Sequence, residues 1–285
     1  MNKRVVITGM GVISPVGNDV NTFWSNLCDG VCGIDYIKSF PTDNLPVGIA
    51  GIIKDFKAEE YGMDKPFIRK QDLFTQYGVA AAYQAMRQSG LSSKGEDKNI
   101  DPFRLGVYFG SGIGGFATQY REISKMIEDP SGQWISPLFI PTMISNIAAG
   151  HIAILHNAQG PCLDIVTACA TSTNAMGEAF RAIRNGYADA IITGGCENAT
   201  IPIGIVGFAN AKALSRATDP NYASLPFNGN RAGFVMADGS AALVLEEYEH
   251  AKARGAQIIG EMVGYGNTCD AYHSTAPRPD GTTQA

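Results

Sequence analysis

Cys169 sits where a β-branched run, Leu163 to Thr167 (LDIVT), gives way within two residues to a helical pattern. A thiol at that junction faces the positive end of a helix. Ala175, Met176, Ala179, Phe180 and Ile183 recur at helical spacing on one face, Glu178, Arg181 and Arg184 on another, and Gly186 closes the run. Unpaired backbone N–H groups at such a start favour a thiolate and can donate to an oxyanion, so the chemistry expected is covalent transfer through a cysteine nucleophile. A buried structural thiol is the alternative open to any single cysteine.

The other five cysteines (Cys28, Cys32, Cys162, Cys196, Cys269) form no CxxC pair and have no histidine at zinc spacing, and the chain opens on a strand-like VVITG. Reduced thiols and a cytoplasmic setting are expected. A formal charge of −5 and a pI near 5.4 argue against nucleic acid as a partner, so any basic patch is local. The apolar runs fall short of the ~20 residues that span a bilayer, and no membrane span is expected. With 285 residues, 45% hydrophobic and 17% charged, the chain can bury a large core.

The elements that must position Cys169 alternate between strand and helix. Arg4 to Thr8 reads as a strand closed by the glycines of ITGMGVISP, and Asp19 to Cys28 as a capped helix. Residues 34–63 read as an irregular surface excursion. Asp72 to Ser89, with its Ala80-Ala81-Ala82 run and Gly90 as terminator, is an amphipathic helix. Further strands are expected at Leu105 to Phe109, running into the turn GSGIGG, at LDIVT, at Ala188 to Thr193 and at Ala241 to Glu246. A helix from Glu247 to Arg254 and a strand from Gln257 to Val263 follow. This order predicts an α/β protein whose mostly parallel or mixed sheet carries helices on both faces.

The segment DIVTACATSTNAMGEAFRAIRNGYADAIITGG resembles the active-site stretch of β-ketoacyl-[acyl carrier protein] synthases, condensing enzymes of the thiolase-like superfamily. ITGMGVISPVGN, GSGIGG, the run PTMISNIAAG from Pro141, PFNGNRAGFV around Phe227 and DAYH from Asp270 match that family's pattern in order, most like its chain-elongating bacterial members. The resemblance implies a layered α/β/α/β/α sandwich. Residues 1–255 would form the N-terminal half with the nucleophile, and 256–285 would begin the C-terminal half with its first strand. It also implies a two-step transfer. Cys169 takes an acyl group from acyl carrier protein, and malonyl-carrier protein then loses CO2 and attacks the thioester.

No cofactor is implied beyond the phosphopantetheine arm that the carrier protein brings. Ile113, Phe208 and Phe139 would line the acyl tunnel, Phe139 reaching in from the other subunit of a homodimer joined through the strand near Pro161 to Val166. His273 matches a position beside the pocket. Arg69, Lys70 and Lys212 would dock the acidic carrier protein. The family's two catalytic histidines have no counterpart among His151, His156, His250 and His273, the first three of which read as packing or surface residues. Residues 1–285 alone are therefore expected not to complete the condensation.

Four other readings compete. Gly9-x-Gly11 resembles the start of a dinucleotide fingerprint, but Ser14 stands at the third glycine and no acidic residue clearly ends a second strand. A cysteine hydrolase would pass the acyl group to water instead. A non-catalytic chain-length subunit of the same superfamily characteristically lacks the nucleophile that this chain retains. Degradative thiolase-like enzymes use CoA and a second cysteine.

Overall fold

The computed structural model describes residues 3–284. The chain opens with β1 (Val5–Ile13), α1 (Val20–Cys28), the short strands β2 (Ile34–Tyr36) and β3 (Ile49–Gly51), α2 (Lys65–Lys70) and α3 (Leu73–Ser89). It continues through β4 (Leu105–Gly110), α4 (Phe116–Glu128), α5 (Phe139–Met143), α6 (Ile147–His156), β5 (Cys162–Leu163) and α7 (Thr171–Arg184). β6 (Ala190–Glu197), α8 (Pro202–Asn210), β7 (Gly239–Glu247), α9 (Tyr248–Ala253) and β8 (Gly260–Met262) complete it.

Six strands form one mixed sheet in the order β5-β4-β6-β7-β1-β8. β5, β4 and β6 run parallel, while β7 is antiparallel to both β6 and β1, and β8 is antiparallel to β1. Alternation along the strands divides the core. Leu105, Val107, Phe109, Ile192 and Val244 pack under α3 and α6, whereas Tyr108, Ile191 and Leu245 face Ala179, Phe180 and Ile183 of α7. Helices on both faces agree with the alternation read in the sequence.

β1 does not stop at its glycines. It runs nine residues, with a register shift between Ile7 and Gly9 that transfers its inward side chains from the α7 face to the α3 face. Gly9 and Gly11 then point at α3, where an added Cβ would stand 2.0 Å from the carbonyl oxygens of Ala85 and Ala81 respectively. The glycines are there for helix-on-strand contact, and the strand runs on through them to Ile13 where a dinucleotide fingerprint would turn into a helix.

Two other expectations need correction. The strand at LDIVT is only Cys162–Leu163, because its single neighbour β4 pairs it at the sheet edge and the chain then leaves the ladder toward the nucleophile. Residues 34–63 are not merely a surface excursion. β2 pairs with β3, and Ile37, Val47, Ile49 and Ala50 are buried with Ile205, Ala209, Leu214 and Met236 in a core of their own. No helix among the described residues is long and apolar enough to cross a membrane.

Candidate active site

After β5 the chain makes a 3-10 turn over Ala168–Ala170 that leads directly into α7, so Cys169 stands two residues before the first residue of the helix. Ala168 has φ 51°, left-handed backbone that a residue with a Cβ adopts at a cost. Such strain persists where neighbours enforce it. Here the Thr167 N–H donates to Thr171 Oγ1 at 2.9 Å, and the Thr167 carbonyl accepts from the Ala170 N–H at 3.1 Å.

The turn leaves Cys169 exposed at the wall of a cleft of about 590 Å3. Ile113, Phe208, Phe234 and Met236 also line it, and the two phenylalanine rings meet edge to face, 5.4 Å apart. A thiol beside an apolar slot is suited to carry a hydrocarbon chain, because each methylene buried there contributes about 0.8 kcal/mol.

The loop that carries Ile113 is held by Glu197, which ends β6 and lines the same cleft. Its carboxylate accepts from Ser111 Oγ at 2.9 Å and from the Gly112 N–H at 2.7 Å, while Ser111 Oγ accepts from the Gly114 N–H at 2.9 Å. Burial pushes the Glu197 carboxyl up despite these donors. Asp238, likewise pushed up by burial, accepts from Asn198 Nδ2 and from the N–H groups of Ala199 and Thr200. The chain leaving β6 is thereby fixed against β7. The sequence reading missed Glu197, Asp238 and Phe234; an acidic residue two positions after the Gly194-Gly195 pair was the available signal for the first.

Ile113 and Phe208 thus share one cleft with Cys169; the other residues singled out from the sequence lie elsewhere. Phe139 starts α5 and lines a smaller pocket of about 230 Å3 together with Arg69, Lys70 and Arg121. Lys212 is exposed just beyond α8 with φ 58°. His273 is exposed, its Nδ1 accepting from the N–H groups of Thr275 and Ala276.

The other histidines also stand away from the cleft lining. His151 packs edge-on against Phe67, and burial lowers its pKa. Burial, with Lys94 nearby, pushes His156 down to about 4. His250 bonds Glu246 Oε1 at 2.7 Å, which raises it.

Against this fold and site, residues 2–251 match the family described as Beta-ketoacyl synthase, N-terminal domain. The chain is 47% identical over 280 residues to 3-oxoacyl-[acyl-carrier-protein] synthase 2 of Staphylococcus aureus (strain N315), which covers 98% of this chain and 66% of that protein. The enzyme of the same name from Vibrio cholerae is 47% identical over 281 residues, again 98% of this chain and 66% of that one. Among solved structures, a type II PKS ketosynthase bound to the hexaketide and in complex with its acyl-carrier protein, AntDE:AntF, superposes with a TM-score of 0.88 at 30% identity, covering 99% of this chain and 67% of that one. A beta-ketoacyl synthase from Burkholderia phymatum STM815 gives 0.84 at 30% identity, over 96% of this chain and 66% of that one. The chain belongs to the beta-ketoacyl synthase family of thiolase-like condensing enzymes, and it spans 66% of the length of the curated relatives it matches.

Proposed function

We propose that the chain carries the nucleophile half of a 3-oxoacyl-[acyl-carrier-protein] synthase. In the first step Cys169 Sγ attacks the thioester of acyl-carrier protein, forming acyl-Cys169 and releasing the carrier thiol. In the second, malonyl-carrier protein loses CO2; the electron pair left behind attacks the acyl carbonyl, and the Cys169 thiolate departs. Backbone N–H groups at the head of α7 stabilise the oxyanion formed in each step. The observation that supports this most is the exposed Cys169 at a strained turn, opening into the same apolar cleft as Ile113 and Phe208.

Acyl carrier protein is the proposed partner, docking on Arg69, Lys70 and Lys212, as a carrier protein accompanies the ketosynthase in the AntDE:AntF complex. A second copy of the chain is the other. β5 is an edge strand with Leu163 49% exposed, and Val166, three residues past Leu163, is 50% exposed, which suits pairing across a dimer.

Incubating the intact enzyme with acyl- and malonyl-carrier protein separates the competing chemistries. The reading requires 3-oxoacyl product and CO2 in equal amounts, both lost in Cys169→Ala. Free fatty acid released without malonyl-carrier protein would make the protein a hydrolase, and absence of any acyl transfer would make it a non-catalytic subunit.

A further inference from the structure

The turn that presents Cys169 is held by a chain of side chains that ends far along the sequence. Thr167 Oγ1 accepts from Asn174 Nδ2 at 2.8 Å, and Asn174 Oδ1 accepts from the Tyr265 hydroxyl at 2.7 Å. Asn174 is 9% exposed, inside α7. Tyr265 lies beyond β8, in the segment that crosses the outer face of α7. Its ring lies over Gly177, where an added Cβ would come within 2.1 Å of it, and the Arg181 guanidinium stacks 4.8 Å from its centre. The helix thus has a bare site cut for this one ring.

A buried amide that donates through Nδ2 still needs a donor at Oδ1. Tyr265 supplies it, and in doing so fixes which end of the amide faces Thr167. With the hydroxyl gone, the amide can turn over, and Thr167 loses the anchor at its side chain. Thr167 is the residue immediately before left-handed Ala168, so a looser Thr167 lets the strain at Ala168 relax and moves the thiol.

We infer that Tyr265 is a positioning residue for the nucleophile, acting through Asn174 and Thr167 to hold the turn that keeps Cys169 at the cleft. The inference rests on the reading of Cys169 as the acyl-accepting nucleophile.

The test compares single-turnover acyl transfer from acyl-carrier protein to Cys169 in the intact enzyme, in Tyr265→Phe, in Thr167→Val and in the double variant. Tyr265→Phe keeps the ring on Gly177 and removes only the hydroxyl. Its loading rate constant should fall about fivefold to tenfold, the worth of one buried hydrogen bond, with the half-saturating carrier concentration unchanged. Because both substitutions cut one chain, the double variant should load no more slowly than Thr167→Val alone. Loading of Tyr265→Phe at the wild-type rate, or losses that multiply in the double variant, would overturn the inference. A wild-type enzyme that never carries an acyl group on Cys169 would instead overturn the nucleophile assignment beneath it.

Discussion

At the residue scale the account turns on a few side chains around one cleft. Ile113 stands on a loop tied by Glu197 through Ser111 and Gly112, so a larger side chain there projects into the cleft the loop borders. Ile113→Phe should shorten the acyl chain the cleft accepts. If the ring displaces two methylenes, kcat/KM for the longest substrate falls by about 1.6 kcal/mol, or roughly 15-fold, while substrates two or more carbons shorter react as before. Competition between acyl-carrier proteins of graded length measures this, and unchanged selectivity would remove Ile113 from the wall. Cys169 was legible from the strand-to-helix junction around it, and Ile113 and Phe208 through the resemblance of their segments to the condensing-enzyme family. Glu197, Asp238 and Tyr265 were not, since their roles depend on partners 38 to 91 positions distant, brought close only by the sheet and by the segment crossing α7.

At the scale of elements, α1, α3, α7 and α9 and most strands of the sheet followed from periodicity, whereas α4 and α8 had no counterpart in the sequence reading. α3 and α7 fall where their apolar faces put them, and Asp72 caps α3 by accepting from the Phe74 N–H. α6 escaped because IAAGHIAILH is apolar nearly all round and shows no amphipathic stripe. The bulge in β1 was equally invisible, since glycine signals a turn and a close helix contact in the same letter. Gly11→Ala separates the two meanings. Its Cβ would press on the Ala81 carbonyl of α3, and the fold should lose about 3 kcal/mol in urea unfolding. Gly150→Ala in α6, with open space around the new Cβ, should be neutral or stabilising by about 0.5 to 1 kcal/mol. Equal stability for the two variants would mean that α3 does not lie as closely on β1 as described.

At the scale of the whole molecule, the proposed partnership joins an acidic chain to an acidic carrier protein, which makes local charge decisive. Arg69 and Lys70 border the pocket that Phe139 and Arg121 share, and Lys212 follows α8, the helix that places Phe208 in the cleft. Reversing the charge at Arg69, Lys70 and Lys212 together should raise KM for acyl-carrier protein about tenfold or more, most strongly at low salt. Alkylation of Cys169 by a small reagent should proceed at its original rate. Parallel losses in both assays would show a damaged fold and no docking surface.

The most direct test of the central claim is one mass measurement on the intact enzyme after incubation with acyl-carrier protein, followed by mapping of the modified peptide. The account predicts a mass increase of a single acyl group, located on the peptide that contains Cys169 and discharged when malonyl-carrier protein is added. An unmodified Cys169, with the acyl group absent or attached to another cysteine, would contradict it.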